Sequence, residues 1–186
     1  MNIPMIALYR GSTSLGARAI RWRTRMPYHH AAWLYTDGRC FEAIGSDVPY
    51  CGGRVVISPS VFAAHHPGIM VDLFYIPGMT SRDADIVLQR ALSQVDKPYD
   101  WPGVLGFITG RGETQAEAQR AWFCSEYVHW IHLAVISLLN CESWLVSPGL
   151  LKASPHLVYS ETLVCGRDEG YFYNECNHRG GKFAYA

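Results

Sequence analysis

His30-Ala31-Ala32-Trp33-Leu34-Tyr35-Thr36-Asp37-Gly38-Arg39-Cys40-Phe41-Glu42-Ala43-Ile44 places two apolar runs on either side of an Asp-Gly step. That pairing is the strongest short-range hairpin signal a sequence carries. Both faces of both runs are apolar, so the hairpin is expected at the centre of a sheet. Two polar groups break the pattern. His30 opens the first strand, and Glu42 lies in the second among Phe41, Ala43 and Ile44. A carboxylate buried without a partner is costly, and a nearby imidazole would supply one. Strand geometry sets the condition for that pairing. If Asp37-Gly38 alone form the turn, Glu42 falls opposite Trp33 and on the face away from His30. A three-residue loop, or one bulge, sets Glu42 opposite Ala32 and diagonal to His30 on one face.

Outward from the hairpin, residues 3–9 read as a buried strand. Residues 14–25 read as an amphipathic helix capped by Thr13 or Ser14 and ended by Pro27. Residues 54–57 and 69–76 are further strands, with a short helix expected from Ser58-Pro59-Ser60 through Ala64. Residues 81–95 form the cleanest helical pattern, with Ser81 as its cap. Residues 97–102 read as a stiff aromatic loop, 111–119 as a polar and mobile stretch, and 147–155 as a short helical turn. Leu157 to Tyr159 returns to the sheet. His65 and His66, before Pro67-Gly68, read as turn residues.

The second decisive stretch is Trp122-Phe123-Cys124-Ser125-Glu126-Tyr127-Val128, where a polar region gives way to the longest apolar run, residues 122–139. A cysteine in the first turn of a helix meets unpaired backbone N–H groups and the positive end of the macrodipole, which favour a thiolate. Position alone favours a small buried residue instead, the usual fate of a free cysteine. A thiol nucleophile also needs a base, held in place by a third group. His129 and His132 share the helix with Cys124, but they stand about 140° and 80° around its axis and suit packing or surface roles. His30, with Glu42 beside it, is the better placed base.

Bulk properties narrow the function classes. The 186 residues suit one domain with a full core, at 49% hydrophobic and 13% aromatic. Lys+Arg and Asp+Glu are both 16, so no global charge attracts nucleic acid. Arg18, Arg21, Arg23 and Arg25 are a local exception, read as a solvated helix face, with the rim of an anionic-substrate site as the alternative. Six dispersed cysteines have neither disulfide-framework nor zinc spacing, and no cofactor or metal is expected. No signal-peptide pattern opens the chain and no run is long enough to span a membrane, so a cytoplasmic setting is the default expectation. A phage-associated or otherwise delivered protein is the alternative.

The ordered set Met26-Pro27-Tyr28-His29-His30-Ala31-Ala32-Trp33, Asp37-Gly38 with Phe41-Glu42-Ala43, Lys97-Pro98-Tyr99-Asp100-Trp101 and Trp122-Phe123-Cys124-Ser125-Glu126-Tyr127 resembles the circularly permuted NlpC-like papain-fold peptidases and amidases, the YiiX/YaeF-like family. The resemblance covers about residues 5–160. It implies an α+β papain-like fold, with an antiparallel sheet packed against helices that include the nucleophile helix. It implies a catalytic domain over residues 1–165, leaving 166–186 as a tail or covering flap. By motif match it implies Cys124 as nucleophile, His30 as base and Glu42 as orienter. Tyr99 matches an aromatic position near the family's site, a candidate for substrate binding or the oxyanion. An N–H near Gly11 is the other oxyanion candidate. The doubled His29-His30 offers two imidazoles for one role, and the strand register favours His30.

The expected function is therefore a cysteine hydrolase that cleaves an amide bond through a thioester, acting on peptidoglycan-type peptides, with cell-wall fragments as substrates and no nucleic-acid or membrane-inserted partner. An acyltransferase or lipid amidase on the same scaffold is the alternative, favoured if the groove is apolar rather than charged at its ends. The third reading is a non-catalytic binding or structural module, such as a virion component, with Cys124 merely buried. Oligomeric state is left open.

Overall fold

The structure, a computed structural model, describes residues 3–45, 53–109 and 120–166. The expected polar stretch at 111–119 and the tail beyond Gly166 lie outside the described residues, as does most of the loop between Gly45 and Gly53. In chain order the elements are β1 (Met5–Arg10), α1 (Leu15–Thr24), β2 (Tyr28–Leu34), β3 (Cys40–Ile44), β4 (Arg54–Ser58), β5 (Met70–Tyr75), α2 (Ser81–Leu92), α3 (Trp101–Thr109), α4 (Cys124–His132), α5 (Pro148–Lys152) and β6 (Val158–Val164). The strands form one antiparallel sheet ordered β4-β3-β2-β1-β5-β6, so the fold is α+β and the β2–β3 hairpin is internal to the sheet.

Alternation along the strands builds two apolar layers. Ile6, Leu8, Ala31, Trp33, Phe41, Ala43 and Phe74 face one side, where Val87 and Ala91 of α2 and Tyr127, Val128 and Ile131 of α4 cover them. Ala7, Tyr9, Ala32, Cys40, Val71 and Leu73 face the other, under Val61, Ile69 and Cys165. The residues between β4 and β5 that supply this second cover are turns, not the helix expected from Ser58 to Ala64. Proline at 59 and 67 and a tyrosine anchor replace helical hydrogen bonding there: the Tyr9 hydroxyl donates to the Val61 carbonyl at 2.9 Å.

Two backbone irregularities set which side chains meet. The hairpin closes with Tyr35 N–H donating to the Arg39 carbonyl at 2.9 Å and Gly38 N–H to the Tyr35 carbonyl at 3.0 Å. The loop is thus Thr36-Asp37-Gly38, with Gly38 at φ 90°, a conformation that a side chain would strain. Trp33 then pairs with Phe41 and Leu34 with Cys40. This is the odd-length turn that places Glu42 on the His30 face. The second irregularity lies in the β1–β2 ladder, where Tyr9 pairs with His30 but Arg10 pairs with Tyr28. His29 is the extra residue of a bulge, so Tyr28 and His30 point to opposite faces, although two residues apart in a regular strand would share one.

Helix ends are set by local chemistry. Ser14 caps α1, accepting from Ala17 N–H, and Arg25 leaves the helix in the left-handed region at φ 54°. The cap of α2 is Thr80, not Ser81, with Asp83 returning the bond to Thr80 N–H in a capping box. Trp101 and Pro102, expected in a loop, instead begin α3. The expected long apolar helix from Trp122 is shorter, ending at His132. Beyond it the chain turns back, held by His129, whose ring nitrogens bond Ser143 Oγ at 2.9 Å and the Leu139 carbonyl at 3.2 Å. Among the described helices, none is long and apolar enough to cross a membrane.

Candidate active site

The β2–β3 ladder stops at Trp33–Phe41 while β2 continues to Tyr28. Beyond that point the Ala31 N–H, released from strand pairing, hydrogen-bonds the Cys124 sulfur, as does the Ser125 N–H of the first turn of α4. Backbone ties hold the thiol in this seam. Trp122 N–H donates to the Pro98 carbonyl and Asp100 N–H to the Trp122 carbonyl, each at 3.0 Å. Ser125 Oγ donates to the Val146 carbonyl at 2.6 Å, and the Phe123 N–H donates to the Glu126 carboxylate at 3.4 Å. The polar residues that interrupt the apolar run therefore brace the helix start.

On the other side of the thiol stands His30, whose side chain hydrogen-bonds Cys124. Its Nε2 lies 2.9 Å from Glu42 Oε2, which leaves Nδ1 for the sulfur. Glu42 is fully buried, and Ser58 Oγ donates to its second oxygen at 2.5 Å. The structure therefore brings Cys124, His30 and Glu42 into one connected chain, with Ser58 behind it.

The electrostatics follow from burial set against partners. Burial pushes the Glu42 carboxyl up, but His30 and His65 outweigh it and hold the group well below the usual carboxylate range. Burial pushes the His30 imidazolium down, but Cys124 and Glu42 raise it to about 10. Burial also raises the Cys124 thiol, and His30 together with the Ala31 and Ser125 N–H groups brings it below its ordinary value. Cys40 and Cys141 have no such partner and are pushed up by burial. His29, the other imidazole of the doublet, sits in a different environment. Burial first, then His30, His65 and Arg21, lower it to about 3, so it is held neutral.

Tyr99 lines a small, shallow cleft together with Ile20, Val104, Phe123, Cys124, Ser147 and Pro148. It is placed there by its bridge to Trp122 and by its N–H bond to the Gly53 carbonyl at 2.6 Å. No charged side chain lines this cleft among the described residues. Gly11 stands elsewhere, packed against the Gly68 carbonyl and Met70.

His65 was not legible as a site residue. The turn read from Pro67-Gly68 exists, but it delivers the His65 imidazole onto the sheet, with Nε2 3.2 Å from Glu42 Oε2. The ring centroid lies 4.1 Å from Tyr9 and 5.2 Å from His30. Burial lowers the His65 imidazole, although Glu42 pulls the other way. The one signal that could have found it is Glu42 itself, a buried carboxylate with more acceptor capacity than a single imidazole fills.

A scan of family models and a search of curated proteins found no match for this chain. Among solved structures, the metalloprotein yiiX from Escherichia coli O157:H7, of the DUF1105 group, superposes with a TM-score of 0.66 at 16% sequence identity. The match covers 88% of this chain and 98% of that one. The likeness is one of fold. It extends over almost all of the yiiX chain, so the sheet and helices that carry the Cys124–His30–Glu42 chain belong to a shared architecture.

Proposed function

We propose that this protein is a cysteine hydrolase of the permuted NlpC-like, papain-like type, cleaving an amide bond through a thioester on Cys124. The observation that carries the reading is the unbroken line from the thiol through His30 to a buried, fully partnered Glu42. His30 takes the thiol proton and the resulting thiolate rests beside imidazolium at the start of α4. Attack on a carbonyl carbon forms the C–S bond and an oxyanion, for which the Cys124 N–H and the Tyr99 hydroxyl are the proposed donors. His30 returns its proton to the departing amine as the C–N bond breaks. Water, deprotonated by His30, then cleaves the thioester and frees the acid. Glu42 keeps the His30 ring oriented throughout.

The lining of the cleft bears on the substrate. Ile20, Val104, Phe123 and Pro148 favour an apolar acyl group over a peptide with charged ends. An acyl-amide is therefore favoured above a cell-wall peptide, and transfer of the acyl group to an acceptor other than water is the variant the same site would support. The yiiX protein is named a metalloprotein, and in this chain His30, Glu42 and His65 offer three donor atoms within 4.8 Å of one another. A divalent cation held there would supply Lewis acidity, and no step above uses it.

The test is alkylation of the native chain by iodoacetamide across pH, read site by site by mass spectrometry. Cys124 should react well below its ordinary range of about 8.5 and ahead of Cys40, and His30→Ala should abolish that advantage. Labelling of Cys124 only after unfolding would refute the hydrolase.

A further inference from the structure

A triad needs one imidazole on its carboxylate, and Glu42 carries two. His30 and His65 both aim Nε2 at Oε2, at 2.9 and 3.2 Å, from elements that approach from different directions. His30 comes from the bulged end of β2, and His65 from the turn between β4 and β5. The hydrolytic steps leave His65 without a task. The donors are also preset. Ser58 fixes the carboxylate through Oε1, and Tyr9 packs against both rings, at 4.9 and 4.1 Å between centroids. Both histidine side chains keep 12% of their surface exposed, so the cluster is not sealed.

We propose that His30 Nε2, Glu42 Oε2 and His65 Nε2 form a binding site for a divalent transition-metal cation of the zinc class. The geometry points to this ion class. Ligands about 2.0–2.1 Å from a tetrahedral zinc stand about 3.3 Å from one another, and two imidazoles bound through Nε2 hold their centroids about 5 Å apart. The His30 and His65 centroids are 5.2 Å apart, and their Nε2 atoms stand 2.9 and 3.2 Å from the shared carboxylate oxygen. Two neutral imidazoles and one carboxylate are the N/O donor set of a three-ligand zinc site, with the fourth position left to water. Ser58 on Oε1 is the outer partner such a ligating carboxylate requires.

Binding replaces the Nε2 protons of both imidazoles, which leave to solvent. The His30 ring keeps its remaining proton on Nδ1, the nitrogen facing Cys124, so the hydrogen bond to the sulfur survives. The binding does not rest on the hydrolase reading.

The experiment titrates the metal-free full chain with cobalt(II), which reports low-symmetry N/O coordination by visible d–d absorption. One cobalt per chain is expected, weakened at least about 100-fold in His65→Ala and in His65→Gln. Thermal melting of both variants without metal checks their folding. Three results would overturn the site: no visible bands up to millimolar cobalt, bands and affinity that survive both substitutions, or a near-ultraviolet thiolate-to-cobalt band that makes Cys124 the ligand. A second arm follows iodoacetamide alkylation of Cys124 in the metal-free chain, which tests the hydrolase reading independently of the metal. Cobalt binding with an inert Cys124 would remove the hydrolase and keep the metal site, and the opposite pattern would do the reverse.

Discussion

Two carboxylates are buried on this sheet, and they have different work. Asp72 on β5 accepts from Arg10 Nε at 3.0 Å and Nη2 at 3.3 Å, from the Tyr28 hydroxyl at 2.7 Å and from Thr162 Oγ1 at 2.6 Å. Glu42 on β3 accepts from Ser58, His30 and His65. Both are satisfied, as buried carboxylates must be. The difference lies in the countercharge. The guanidinium beside Asp72 cannot give up its proton in a protein, so that cluster only ties β1, β2, β5 and β6 together. The imidazoles beside Glu42 can move a proton or exchange it for a metal. The bulge at His29 separates the two cases, since it sends Tyr28 to Asp72 and His30 to Glu42 from positions two residues apart on one strand.

Substitutions can break this contrast, and the largest effect is expected at the proton carrier. His30→Ala should lower amidase turnover and the Cys124 alkylation rate at neutral pH by about 10³-fold, since the thiolate loses its stabilising imidazolium. An alkylation rate within a few-fold of wild type would show that the helix terminus alone activates the thiol. Glu42→Gln keeps the shape but removes the charge, and turnover should fall by about 10²-fold with the acidic limb of the pH profile moved upward. Asp72→Asn is the control: the melting temperature should fall by about 5–10 °C, from a loss of about 2–3 kcal/mol, while Cys124 alkylation stays within twofold. A Cys124 rate that tracks Asp72 would mean that the two clusters are coupled through β2.

pH sharpens the same contrast. Turnover should fall on the acid side as the lowered Cys124 thiol takes its proton, and on the alkaline side as His30 loses its own near about 10. Both carboxyls are depressed on folding, so each contributes stability that is present above its unfolded value, about 3.9 to 4.3, and is lost as pH falls through its folded one. Acid melting of the Glu42→Gln and Asp72→Asn chains should therefore be flatter below pH 4 than that of the wild type. The smallest effect of interest is at Tyr99. Tyr99→Phe should lower turnover by about tenfold or more and leave alkylation unchanged, because alkylation builds no oxyanion.

Much of the site was legible because its chemistry is local to short motifs. The Asp37-Gly38 step announced the hairpin, and a carboxylate among apolar neighbours announced that Glu42 needed a partner. The helix start at Cys124 was readable from the change in composition, although the helix proved shorter, since polar Ser125, His129 and His132 serve buried bonds to backbone and to Ser143. His65 was not readable. It reaches Glu42 from a turn whose prolines and glycine signal only a change of direction, and the loop that carries the ring is anchored by a distant residue, Tyr9, through the Val61 carbonyl.

By itself, the sequence determined the elements that alternation and capping dictate, and it singled out Cys124, His30 and Glu42 as a candidate set in chain order. Tertiary structure decided their geometry. Whether Glu42 faced His30 depended on one residue in the Thr36-Asp37-Gly38 loop, because a strand reverses its faces with each residue. Which of two adjacent histidines reached Glu42 depended on a bulge in the ladder with β1. The second imidazole on Glu42 depended on a loop folding over the sheet. Registers, bulges and loop packing are set by contacts between residues far apart in the chain, and no local pattern encodes them.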